Sequence, residues 1–196
     1  MADVSVDGEQ RVLPLERPGG TLLCDASMAG NADACEAALR PESDESVLWV
    51  SYTQPPEDCL DQLPSVPDDR KTVVDVGGGT RAAAAGTAAT PTDGEISVAE
   101  PNDLTGLGIA IAEQLRDTDG VHVCFDSITA MLQYVETSRA YTFLNSLLGH
   151  LWDADAHAHF HLNPDAHDEE TVAAITSLFD ARVDADDGTV VTRERT

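Results

Sequence analysis

Three stretches of the chain carry side chains whose types and spacing could do chemistry. Residues 24–32, CDASMAGNA, keep the length and one glycine of a phosphate-binding loop, G-x-x-x-x-G-K-[ST]. In such a loop, backbone N–H groups and a helix N-terminus cradle the phosphates. Lysine neutralises the outer ones, and a hydroxyl holds Mg²⁺. Aligned by spacing, Asp25 takes the first glycine's place and Gly30 the second, with Ser27 between them; Asn31 takes the lysine's and Ala32 the hydroxyl's. Judged alone, the segment is an ordinary strand–helix turn capped by Asn31 or Asp33. The second stretch, residues 121–127 (VHVCFDS), is an apolar run that closes on Asp126 and Ser127. A carboxylate so placed can orient Mg²⁺, although strands also end in Asp for turn reasons. The third is HAHFHL, residues 157–162. His157, His159 and His161 alternate, so a strand projects all three to one face, where imidazoles can share a metal such as Zn²⁺. Against that stands packing of the histidines on a helix, with Asp165 or Asp168 capping the next one. A weaker candidate is residues 75–81, DVGGGTR, where glycines and Arg81 could receive an anion or simply form a turn.

The elements that must position these groups follow from periodicity. Apolar runs at 21–24, 47–53, 71–76, 96–99, 121–125 and 157–162 predict strands. Helical patterns fall near 33–39, after Pro55-Pro56, and after Asn102 or Asp103 with apolar positions 104, 107, 111 and 115. The clearest has Ala140, Phe143, Leu144, Leu147, Leu148 and Leu151 on one face, and Asp168 can cap another bearing Val172, Ile175, Thr176 and Phe179. Residues 181–184 and 189–192 flank Asp186-Asp187-Gly188, a hairpin signal. Strands alternate with helices, and several strands are apolar throughout. This predicts an α/β fold, a three-layer arrangement with a mostly parallel sheet flanked by helices and a C-terminal antiparallel hairpin. Residues 1–19 read as a tail or edge strand and 20–196 as one domain, with an Ala/Thr/Gly-rich loop at 80–94.

Composition narrows the functions. The 196 residues include 36 acidic against 11 basic ones, a formal charge of −25, and Lys71 is the one lysine. The acidic residues are dispersed, which marks a solvated surface rather than a tail. Dense Asp, scarce Lys and few aromatics resemble the cytoplasmic proteins of salt-accumulating haloarchaea. At 1 M salt the Debye length is ~3 Å, so net charge alone does not exclude phosphate ligands. A nucleic-acid surface still needs local Lys/Arg clusters, which the sequence lacks, so no direct nucleic-acid ligand is expected. Four cysteines without C-x-x-C spacing argue against a disulfide framework. With no signal peptide and no long apolar span, a cytoplasmic protein without membrane contact is expected.

The order of these pieces resembles the RecA superfamily and, within it, the KaiC-like group. The matching segments are residues 21–32, LWVSYT at 48–53, VCFDSITAML at 123–132, FLNSLL at 143–148 and the strand 157–162. The chain also resembles an uncharacterised haloarchaeal KaiC-like family with a degraded phosphate loop. The resemblance implies a nucleotide site at Asp25, Ser27, Gly30, Asn31, Asp126 and Ser127. It places the water-activating glutamate at Thr53 or Gln54, neither of them a credible base. Only Asp126 keeps its group, so no catalytic residue and no cofactor are expected, with at most weak ATP and Mg²⁺ binding. The function implied is a non-catalytic regulatory or signalling module with a protein partner, and relatives that assemble side by side suggest a homo-oligomer. The alternatives are residual nucleotide binding or weak hydrolysis, and a metal function of His157, His159 and His161.

Overall fold

Eight strands pair in the order β4-β3-β2-β5-β6-β1-β7-β8. They are β1 (Gly19–Cys24), β2 (Ser46–Ser51), β3 (Lys71–Val76), β4 (Glu95–Val98), β5 (Val121–Asp126), β6 (His157–Leu162), β7 (Ala181–Asp184) and β8 (Thr189–Thr192). The computed structural model describes residues 19–25, 45–64, 66–78, 95–98, 100–118, 120–184 and 189–192. The helix expected near 33–39, the tail and the loop at 80–94 lie outside them. β1 to β7 run parallel, and β8 returns antiparallel along β7 as the Asp-Asp-Gly signal predicts.

The helices are α1 (Pro56–Asp61), α2 (Leu104–Asp117), α3 (Ile128–Met131), α4 (Thr137–Asp153) and α5 (Glu169–Thr176). Three begin where a side-chain oxygen accepts a free backbone N–H. Asp103 accepts from Gly106 at 2.9 Å, Ser127 from Ala130 at 3.1 Å and Asp168 from Thr171 at 2.7 Å. α1 starts instead on Pro56, whose fixed φ suits a first turn and whose missing N–H costs nothing there.

Alternation along the strands separates two unlike faces. On one, Leu22, Val50, Val74, Phe125, Phe160 and Leu162 meet α2 through Leu107 and Ile111, α4 through Leu144 and Leu151, and α5 through Ile175. Phe125 stacks on Phe160 at 5.4 Å, and Phe160 packs on Phe179 at 5.0 Å. β1 has no side chain at Gly20 because Leu148 of α4 lies against its backbone; an added methyl would run into that leucine. The other face is covered over β2 and β3 by α1, where Val47, Trp49, Val73 and Cys124 surround Cys59, Leu63 and Val66. Over β5 and β6 the same face carries polar side chains. No helix among the described residues is long and apolar enough to cross a membrane.

Candidate functional site

Because β1 to β7 are parallel, their carboxyl ends share one edge, the place where open α/β sheets bind ligands. β3, β5 and β7 bring Asp75, Asp126 and Asp184 to it, and Asp25 follows β1. Ser51 at the end of β2 is in register with both Asp75 and Asp126. β6 separates β1 from β5, so one strand lies between the expected phosphate-loop strand and the strand of Asp126.

Asp126 is buried, and its carboxylate accepts a hydrogen bond from the Thr53 hydroxyl at 2.5 Å. Its carbonyl accepts from the Tyr52 N–H at 2.7 Å. The chain turns after β2 because the Ser51 hydroxyl accepts from the Gln54 N–H at 2.9 Å and donates to the Gln54 carbonyl at 2.8 Å. Thr53, one of the two positions (with Gln54) where the resemblance puts a glutamate, serves Asp126 as a donor. Ser127 follows through a cis peptide bond, and its hydroxyl caps α3. Of the expected nucleotide-site residues, Asp25, Asp126 and Ser127 are placed; Ser27, Gly30 and Asn31 lie outside the described residues.

Two cations among the described residues are already engaged by carboxylates. Lys71 begins β3, at the opposite end of the sheet, and bonds Asp68 at 3.1 Å. Arg182 is tied to Asp184 at 2.7 Å, a bond that holds its guanidinium firmly protonated. The Gly77-Gly78 turn does not open toward an anion, since the Asp75 carboxylate packs directly over Gly78. Arg81 of that motif lies outside the described residues. Burial pushes the Cys24 thiol up to about 11 and the Cys59 thiol up to about 12, so neither is a nucleophile at neutral pH. Among the described residues, the groups at the edge do not fit a Mg²⁺-nucleotide poised for transfer. They supply carboxylates, and the one arginine bonded there, Arg182, is already engaged by Asp184, whereas phosphoryl transfer needs a cation turned to the phosphate and a base.

The histidines divide. His159 and His161 are buried, and their rings meet edge-on at 5.1 Å. His161 Nε2 lies 3.6 Å from the Cys124 thiol of the neighbouring strand. His157 instead stacks on His122 at 5.3 Å, whose Nε2 is 2.8 Å from Glu45. Burial lowers the His122 pKa against the pull of that carboxylate. Register explains the split: β6 sets His157 opposite His122 and His159 opposite Cys124. Cys124 is the group that sequence reading passed over, because it sits in an apolar run where a thiol reads as a small hydrophobe.

No match to the chain is found among curated protein sequences. Among solved structures, the chain is similar to a prototypical ATPase from the type III secretion system of pathogenic bacteria. The TM-score is 0.52 at 12% identity, covering 85% of this chain and 51% of that one. The chain therefore spans about half the length of that ATPase. At this identity the likeness establishes the fold, a RecA-like α/β domain. The model of a family of unknown function (DUF7504) matches residues 19–185, and the chain belongs to that family.

Proposed function

We propose that the chain is a KaiC-like variant of the RecA fold that performs no phosphoryl transfer. It acts as a regulatory or signalling module through protein–protein contacts, in the cytoplasm of a salt-accumulating haloarchaeal cell. The observation that carries this reading is the Thr53–Asp126 hydrogen bond. It puts a hydroxyl donor at one of the two positions, Thr53 and Gln54, open to a general base, beside the one acidic group the resemblance retains. Asn31 and Ala32, in place of lysine and hydroxyl, support it from the sequence. Partner binding draws support from Tyr134 and Trp152, which are 54% and 50% exposed. Aromatic residues of these types anchor interfaces well. A second copy of the chain is one such partner.

The second reading, weak Mg²⁺-ATP binding, rests on Asp126 at the ligand-binding edge. Phosphate release and calorimetry with Mg²⁺-ATP in molar KCl separate the two. The expected result is no turnover above that of Asp126→Asn; hydrolysis abolished by that substitution would sink the proposal. Affinity capture at native salt should retain a protein that the Tyr134→Ala/Trp152→Ala variant loses. Capture of nothing, self included, counts against a partner-binding role.

A further inference from the structure

We propose that Cys124, His159 and His161 form a binding site for a borderline-soft divalent cation, Zn²⁺ foremost. Each offers one ligand atom, all three side chains are buried, and the three atoms lie within 4.8 Å of one another. Tetrahedral zinc, with bonds of about 2.3 Å to sulfur and 2.0–2.1 Å to nitrogen, sets an S···N separation of about 3.6 Å. Cys124 Sγ and His161 Nε2 are already 3.6 Å apart. The N···N separation of such a site is about 3.3 Å, so the remaining pairs close by at most about 1.5 Å. One thiolate and two imidazoles select zinc over magnesium or calcium, which prefer oxygen.

The surroundings fit an ion better than a catalytic dyad. Cys124 is 0% exposed, so a substrate cannot reach its sulfur as it would a nucleophile's. The pair sits in a transverse row that runs Trp49, Cys124, His159, Thr21 across β2, β5, β6 and β1. In that row two buried polar atoms, Trp49 Nε1 and Thr21 Oγ1, have no hydrogen-bond partner among the described residues. A metal-bound histidine donates its other ring N–H to an outer acceptor, and the Thr21 hydroxyl stands in register with His159 to receive it. Binding converts the Cys124 thiol to a thiolate and releases its proton to solvent, while both histidines ligate as neutral imidazoles. Three protein ligands leave one tetrahedral position for water.

A chain of charge −25 gathers divalent ions on its surface, so bound metal alone decides nothing. The discriminating probe is Co²⁺ added to full-length protein purified without a histidine tag in molar KCl. Sulfur ligation gives a near-ultraviolet charge-transfer band that surface carboxylates do not. The expected result is this band at about one Co²⁺ per chain, displaced by Zn²⁺, with a rise in melting temperature when Zn²⁺ is bound. Cys124→Ser should abolish the band, and His157→Ala should keep it. Absence of the band from wild-type protein overturns the site, whatever the variants do. A band that survives in folded Cys124→Ser assigns the sulfur elsewhere and overturns it equally. Loss in His157→Ala to the same extent as in Cys124→Ser overturns this choice of ligands. Should Cys124→Ser fail to fold, His161→Asn takes its place with the same expected loss.

Discussion

Strands β5 and β6 show two different chemistries on their two sides. Val123, Phe125, Phe160 and Leu162 face the helices α2, α4 and α5 and belong to the large apolar core. The residues that alternate with them along the two strands, His122, Cys124, Asp126, His157, His159 and His161, belong to the opposite face. One face concentrates the burial that holds the fold, so the same strands can place polar groups on the opposite face. The large core needs shape, and the polar face needs register.

Substitutions on the two faces should therefore differ in size. Phe160→Ala removes a ring that is 0% exposed and touches Phe125 and Phe179. It should cost about 3–5 kcal/mol in denaturant unfolding at molar KCl. His157→Ala, one strand turn away, removes a cross-strand stacking partner and should cost about 0.2–1 kcal/mol. Equal losses would show that the two faces share the work of stability. Gly20→Ala tests the apolar face from the backbone side. Its methyl would meet Leu148 and sit 3.2 Å from Phe179 and 3.3 Å from Phe160. The expected loss is about 1–3 kcal/mol, as for other overpacked cores. A neutral result would mean that α4 can lift away from β1.

The smallest effect concerns His167, beyond the end of β6. Its Nε2 is 3.2 Å from the Thr129 hydroxyl, which also accepts from the Asn163 N–H at 2.8 Å. Burial lowers its pKa below the ordinary 6.5, outweighing the nearby Asp168. The folded state thus binds its proton less readily than the unfolded one. The associated stability is present above 6.5 and is lost as pH falls through the folded value. An NMR titration of the imidazole should find a midpoint below 6.5; one at or above it contradicts burial as the dominant cause.

The contrast between faces also explains what the sequence disclosed. The strands at 71–76 and 157–162 and the hairpin were legible because apolar runs and turn residues are local signals. So were the cap at Asp168 and, as one of the pair Asn102 and Asp103, the cap at Asp103. Strand β2 ends at Ser51, two residues before the apolar pattern does, because the Ser51 hydroxyl folds the chain back onto Gln54. The alternation of three histidines likewise predicted a shared face. It could not tell which of them meet a fourth group, because that depends on how β6 slides against β5. The Cys124–His161 approach joins residues 37 positions apart and exists only in one register. α3 was missed because a four-residue helix leaves no periodicity to detect.

The pairing of β1 has a consequence for how the chain comes to be folded. Gly19 lies beside His157, and Thr21 beside both His159 and Ala181. During synthesis β1, the first strand among the described residues, must wait for the chain to reach β6, beginning at His157, before a neighbour exists. Closing so long a loop is entropically expensive and slow. Until β1 inserts, β6 presents an unpaired edge rich in buried-type side chains, a natural target for a chaperone or for a second nascent chain. The strand that leads into the candidate loop thus joins β6 to β7, and the C-terminal hairpin meets the rest of the sheet through it.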